Sequence, residues 1–166
     1  MTFDRSRFAA DWSSAGRRLG ADADRGRAEL LLAAIDHVPD PVAFVSGLVR
    51  RGDARERIAV LRVLADLPDP ARFTELAIDS LRTNDLHVFT SVACDNPFPA
   101  RFFDERAFGQ MILKALFVGA PLARVVGLDA RVTPELVRMV EAFASERRAA
   151  GRAIPDDATI ILEWKP

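Results

Sequence analysis

Apolar residues recur along this chain at intervals of three and four positions, the spacing of one helix face rather than the alternation of a strand. Similar stripes cover residues 8–19, 24–35 and 136–144. The clearest stripe comprises Phe108, Met111, Ile112, Ala115 and Leu116. Because no segment reads as a confident strand, the pattern predicts an all-α fold.

A short motif, P-x-P-x-x-F, occurs three times in the first two-thirds of the chain. Its copies begin at Pro39, Pro68 and Pro97, so the spacing is 29 residues in both cases. In the first two copies, Asp40 and Asp69 are predicted N-caps, and the second proline takes the first helical position, where its missing N–H costs nothing. The motif phenylalanine is predicted to be the first core-facing residue. Each copy should therefore open a helical hairpin.

Hairpins that repeat at a fixed short period bury their apolar faces by stacking on one another, which favours a short α-solenoid. The period is shorter than the ~40 residues of HEAT units, so the solenoid is HEAT-like in a loose sense. We predict a single helical domain over residues 1–166. Three hairpin units fill residues 39–127, and capping helices fill residues 1–38 and 128–166.

The third unit departs from the other two. Its first helix should stop near Phe103, and the longer helix after it should end at Gly119. Thr133 is predicted to begin a long helix, and Pro134 and Glu135 follow it in the first turn. The apolar tail, residues 154–164, is predicted to pack back as a cap.

The charge balance excludes several classes of partner. Lys and Arg total 23 against 24 for Asp and Glu, a net charge of −1, so no overall field draws the protein to nucleic acid or an anionic membrane. The arginines are spread evenly, which is typical of solvated helix faces. The longest apolar run, residues 115–123, is interrupted by Gly119 and Pro121 and is far shorter than the ~20 residues of a membrane span.

Cysteine and histidine usage argues against catalysis and metal binding. The single cysteine, Cys94, forbids an internal disulfide and predicts a reducing, cytoplasmic location. On one helix His87 and Cys94 would lie two turns apart, about 10 Å, which is too far for a nucleophile and its base. His37 and His87 show no metal-ligand spacing. The sequence predicts no enzyme activity, cofactor or metal.

The polar positions between residues 95 and 114 are the remaining candidates for function. Gln110 and Lys114 are four residues apart on a helix face distinct from the Phe108 stripe. Asp95 and Asn96 end the preceding helix. Lys114 could reach Asp95 or an anionic ligand, or it could extend to solvent along its aliphatic stem; both alternatives stay open.

The C-terminal third to half of the chain resembles the EboA family of metabolite-traffic proteins. The resemblance rests on the order DNPFPA, FGQMILKALF, PL, GL and PEL from Asp95 to Leu136. Two positions depart from the family pattern: Phe98 stands where tyrosine is common, and Gly109 stands where asparagine is common.

The resemblance implies a non-enzymatic accessory protein in the traffic of a secondary-metabolite precursor. It also implies partners from an ebo gene cluster, including a UbiA-type prenyltransferase and a TatD-like hydrolase. The leading hypothesis is that a small apolar or aromatic metabolite, or one of these partners, binds at a site that contains Asp95, Asn96, Phe98, Gln110 and Lys114.

Two alternatives to this hypothesis differ in what they require of the fold. A protein–protein scaffold without a small-molecule site would leave Phe98, Phe102 and Phe103 partly exposed as a docking patch. A cryptic enzyme would need a cleft in which at least two ionisable groups converge.

Overall fold

The computed structural model describes residues 3–164, which form eleven α-helices joined by turns and 3-10 segments, without a strand. This confirms the all-α prediction. The chain divides into two compact units at the bond between Ser91 and Val92. The single-domain organisation and the solenoid stacking stay predictions.

The first unit contains five complete helices and most of a sixth. In order they are α1 (Arg5–Leu19), α2 (Ala23–Ile35), α3 (Pro41–Arg51), α4 (Ala54–Arg62), α5 (Thr74–Ser80) and α6 (Leu86–Ala93). Helix α2 packs against α1 and α4, and α3 packs against α4 as the hairpin that the first motif copy predicts. The core of this unit includes Leu31, Val45, Leu61, Leu64 and Phe73, all of them buried.

The second unit contains five helices. In order they are α7 (Phe98–Phe102), α8 (Glu105–Val118), α9 (Leu128–Arg131), α10 (Pro134–Ala149) and α11 (Thr159–Leu162). Helix α10 packs against α8 and α11, so the apolar tail does fold back as predicted. The five residues of the α8 stripe are all buried. Within the described chain, every helix is too short or too polar to span a bilayer.

Side-chain caps fix several helix starts where the sequence predicts them. The Oδ1 atom of Asp40 accepts a hydrogen bond from the Ala43 N–H at 3.0 Å, and the Oγ1 atom of Thr133 accepts one from the Leu136 N–H at 3.2 Å. At the other end of α8, Gly119 adopts a left-handed φ of 75° and ends the helix.

The N-cap prediction for Asp69 is wrong. Its φ is 49°, a left-handed conformation, whereas an N-cap residue has an extended backbone that turns its side chain toward the first free N–H groups. A 3-10 segment, Pro70–Phe73, opens this unit instead. The third copy also differs, because its motif residue Phe102 is half-buried while Phe98 and Phe103 beside it are buried.

Candidate functional site

Asp95 and Arg124 form a reciprocal pair in the second unit. The Asp95 carboxylate accepts hydrogen bonds from Nε of Arg124 at 2.9 Å and from its Nη2. The Asp95 N–H in turn donates to the Arg124 carbonyl at 2.8 Å. Asp95 holds a left-handed φ of 51°, a conformation that aspartate tolerates better than most residues. Because the ion pair is exposed, it orients the chain here more than it stabilises the fold.

Asn96 and Phe98 shape the start of α7. The Oδ1 atom of Asn96, a residue only 3% exposed, accepts a hydrogen bond from the Phe98 N–H at 2.9 Å. Phe98 is 0% exposed, and its ring centroid lies 4.8 Å from that of Phe102 and 6.2 Å from that of Phe103. Phe98 and Phe103 are buried and Phe102 is half-buried, which counts against the docking patch that the scaffold hypothesis predicts.

Gln110 and Lys114 lie on α8 as predicted, apart from its buried stripe. Gln110 is exposed and Lys114 is half-buried. Asp95, Asn96 and Phe98 have local structural roles. A ligand or partner site in this unit therefore stays a prediction that depends mainly on Gln110 and Lys114.

Cys94 lies just beyond α6 and is buried. Its Sγ atom is 3.9 Å from the Pro121 carbonyl oxygen. Burial raises the pKa of the Cys94 thiol; the Arg124 guanidinium opposes this increase, and the Asp95 carboxylate adds to it. The thiol is therefore held in its protonated, unreactive form.

The thiol should make the stability of the fold depend on pH. Its pKa is raised in the folded state, so the free energy of unfolding should decrease as pH rises through and above the ordinary thiol value of ~8.5. Urea unfolding at a series of pH values measures this slope. The chain has no tyrosine that would titrate nearby. Cys94→Ala should flatten the slope, and an unchanged slope in that variant would assign it to another group.

Arg131 is a structural residue that sequence reasoning does not identify. Its guanidinium donates hydrogen bonds to the carbonyl oxygens of Ala100 at 2.7 Å, Phe103 at 2.8 Å and Asp104 at 3.2 Å. Its Cζ atom also lies 4.6 Å from the ring centroid of Phe108. Arg131 ends α9, a four-residue helix that follows the left-handed Gly127 and that no sequence pattern predicts.

Four aromatic rings form a continuous cluster in the first unit. Ring centroids lie 5.4 Å apart for Phe3 and Phe44, 5.1 Å apart for Phe8 and Phe44, and 5.5 Å apart for Phe8 and Trp12. The rings come from the N-terminal segment, α1 and α3. Sequence reasoning predicts Phe8, Trp12 and Phe44 as core residues but gives no sign that they border a cleft.

Two adjoining cavities open on this cluster, and we call them together the aromatic cleft. The larger, about 540 Å³, is lined by Phe3, Val38 and Pro39 among others, and the smaller, about 250 Å³, is lined by Trp12 and Gly52 among others. Both cavities share the lining residues Arg5, Phe44 and Arg51.

The charged groups of the aromatic cleft differ in whether they already have an ion-pair or hydrogen-bond partner within the protein. Within residues 3–164, neither Arg5 nor Arg51 has a carboxylate oxygen within 4.0 Å. The Asp40 carboxylate caps α3, and the Glu56 carboxylate accepts a hydrogen bond from the Asp53 N–H in the capping box of α4. The cleft therefore offers two guanidinium groups to an incoming acceptor.

Gly47 makes room for one of these guanidinium groups. A Cβ atom at this position would lie 2.7 Å from Nη2 of Arg51 and 3.3 Å from its Cζ. The absence of a side chain thus lets Arg51 lie back along α3. Within the described residues, no group of His, Cys, Asp and Glu could hold a metal ion.

Comparison with protein families places nearly the whole chain in a family. The model of a family described as Metabolite traffic protein EboA matches residues 8–162. The span includes the cleft residues Trp12 and Phe44 as well as residues 95–128, so restricting the resemblance to the C-terminal third to half of the chain is too narrow. No curated protein and no solved structure matches the chain.

Proposed function

The chain belongs to the EboA family, and from this premise we propose that it binds a small aromatic metabolite in the aromatic cleft without transforming it. The observation that carries the proposal is the continuous ring cluster beside two guanidinium groups that lack a carboxylate partner in the described chain. The volume of the larger cavity, about 540 Å³, suits a small-molecule ligand.

The chemistry of the lining defines the class of metabolite. Aromatic rings prefer offset or edge-to-face partners, which favours a ligand with an aromatic ring of its own. An arginine fork matches a carboxylate in a planar, bidentate arrangement. A small aromatic acid combines both features, with its ring near Phe3 and Phe44 and its carboxylate near Arg51.

Binding without chemistry is supported by the engagement of the acidic groups. General acid–base catalysis needs a side chain within hydrogen-bond reach of the reacting proton and with a suitable pKa. His37 lines the larger cavity together with Asp40, but Oδ1 of Asp40 already accepts the Ala43 N–H at 3.0 Å. The family description, metabolite traffic, also favours a non-enzymatic role.

The sequence also predicts partner proteins and a cellular location. Partners from an ebo cluster, a UbiA-type prenyltransferase and a TatD-like hydrolase, would deliver or receive the metabolite. Gln110 and Lys114 on α8 are the proposed contact for such a partner, because Gln110 is exposed there. The cytoplasmic location stays a prediction from the single cysteine.

Calorimetric titration with 1-naphthoate and with its neutral analogue 1-naphthalenemethanol tests the proposal. Arg51→Gln should weaken naphthoate binding about tenfold, the scale of one hydrogen bond to a charged group, and should change binding of the neutral analogue little. Gly47→Ala should also weaken naphthoate binding, because the new methyl group displaces the Arg51 guanidinium. Alanine favours helices over glycine by up to ~1 kcal/mol, so that variant should remain folded.

Arg55→Gln is the control, since it removes the same charge from an exposed position of α4. Arg55 does not line the aromatic cleft. The proposal is wrong if wild-type protein shows no saturable naphthoate binding. Equal losses in Arg55→Gln and Arg51→Gln would also exclude the cleft as the binding site.

A further inference from the structure

The opposite face of α3 lines a second groove, which we call the arginine groove. Val42, Ser46 and Arg50 face this groove, whereas Phe44 and Arg51 face the aromatic cleft. Residues of α5 and the segments that flank it form the other wall. The groove has a volume of about 550 Å³, again in the range of small-molecule sites.

The arginine groove is more positive than the chain as a whole. Arginines 50, 57, 72 and 82 line it against the carboxylates of Glu75 and Asp79, a formal charge of +2 in a chain whose net charge is −1. A cleft lined by charge of one sign focuses the electrostatic potential and raises the local concentration of ions of the opposite sign. The groove therefore favours an anionic ligand.

The four arginines of the groove differ in whether an acidic partner lies nearby. Arg72 and Arg82 lie near carboxylates three residues away, at 3.9 Å and 3.4 Å, in exposed pairs that hold them weakly. Arg50 and Arg57, by contrast, have no carboxylate oxygen within 4.0 Å anywhere in residues 3–164.

Arg57 is also positioned before any ligand arrives. It is half-buried, and its Nε atom donates a hydrogen bond to the Gly52 carbonyl at 3.0 Å. This contact fixes the stem of the side chain, so less side-chain entropy is lost when its terminal nitrogens bind an anion.

Besides its charged groups and the hydroxyl groups of Ser46, Ser80 and Thr83, the groove has an apolar lining that suits a hydrocarbon segment. Val42 and Val49 of α3 lie on one side, and Leu76 of α5 and Val88 of α6 complete the lining. An inorganic anion would leave this apolar surface in contact with water, whereas an alkyl chain would cover it. Cationic and apolar groups in one groove are complementary to an amphiphile with an acidic headgroup.

We propose that the arginine groove binds a small amphiphile through a phosphate or carboxylate headgroup held by Arg50 and Arg57. This site is separate from the aromatic cleft, and the proposal does not depend on the proposed function. The headgroup could belong to a free metabolite or to a membrane lipid, since both present the same oxyanion.

Calorimetric titration with monomeric octyl phosphate, octyl glucoside and inorganic phosphate tests the site. Octyl phosphate should bind more tightly than either of the other two probes, by about tenfold, because only it offers both charge and hydrocarbon. Arg50→Gln and Arg57→Gln should each weaken octyl phosphate binding by a similar factor. Glu75→Gln should strengthen it several-fold, because this change removes a negative charge from the groove.

A matched control separates this site from a general charge effect. Arg55→Gln changes the same charge on the helix that carries Arg57, and Arg55 lines neither the arginine groove nor the aromatic cleft. Octyl phosphate binding should survive in this variant. The proposal is overturned if Arg55→Gln weakens binding as much as Arg57→Gln does, if Glu75→Gln brings no gain, or if inorganic phosphate binds as tightly as octyl phosphate.

Flotation with phosphatidylcholine vesicles, with and without phosphatidic acid, distinguishes the two sources of the headgroup. Recovery of the protein with the phosphatidic acid vesicles, lost in Arg50→Gln, would support the site and identify a lipid headgroup. Octyl phosphate binding without such recovery would support the site and identify a free amphiphile. Vesicle recovery that persists in Arg50→Gln would overturn the assignment to this groove.

Discussion

Phe98→Ala is expected to lower the free energy of unfolding by about 3–5 kcal/mol, the usual effect of deleting a buried phenylalanine ring. The side chain is 0% exposed and contacts the rings of Phe102 and Phe103, so the deletion leaves a cavity as well as losing apolar burial. Urea unfolding followed by circular dichroism measures the change.

Phe117→Ala provides the control for Phe98→Ala. Phe117 lies on α8 in the same unit and is 67% exposed, so the same chemical deletion should change stability by no more than ~0.5 kcal/mol. If both variants keep wild-type stability and Phe98→Ala alone loses binding of a ligand, Phe98 belongs to a binding site after all. The expected result instead assigns the ring to the core.

This distinction matters because Phe98 belongs to the segment that carries the family resemblance. The same segment contains the left-handed Asp95, the cap from Asn96 and the buried ring of Phe98, which together fix the path of the chain into α7. Such local constraints restrict which residues a position accepts. A segment can therefore identify a family through its structure while a ligand binds elsewhere.

Features set by neighbours in the sequence could be predicted. The α8 stripe is buried as its periodicity indicates, because residues three and four apart on a helix share a face whatever lies opposite. The caps at Asp40 and Thr133 depend on the next three residues alone. Asp69 shows the limit of this reasoning, because the same P-D-P letters occur there with a left-handed backbone.

Features set by distant residues could not be predicted. The aromatic cleft requires Phe3 and Phe44 to meet although they are far apart in sequence, and no local pattern specifies that contact. The same holds for the arginine groove. Its residues belong to an evenly spread set of arginines, and packing of the helices decides which of them share a surface without an acidic neighbour. Both proposed sites therefore follow from tertiary structure.

Arg131→Met is expected to lower the free energy of unfolding by about 2–4 kcal/mol. The substitution removes the hydrogen-bond donor of two carbonyl groups, and a buried carbonyl group without a donor costs ~1–3 kcal/mol. These are the carbonyl groups of Ala100 and Phe103, which the guanidinium contacts at 2.7 Å and 2.8 Å. Methionine preserves most of the aliphatic stem, so the loss reports mainly on the hydrogen bonds.

Arg131→Lys keeps the positive charge but removes the planar guanidinium group. An ammonium group is a point donor and cannot reproduce a planar guanidinium that bonds several carbonyl groups while lying over Phe108, so lysine should recover less than half of the lost stability. Arg138→Met is the control, because Arg138 pairs with Glu135 on the exposed face of α10 and should contribute under ~0.5 kcal/mol. Full recovery by lysine would show that charge, and not the arrangement of donors, holds α7 in place.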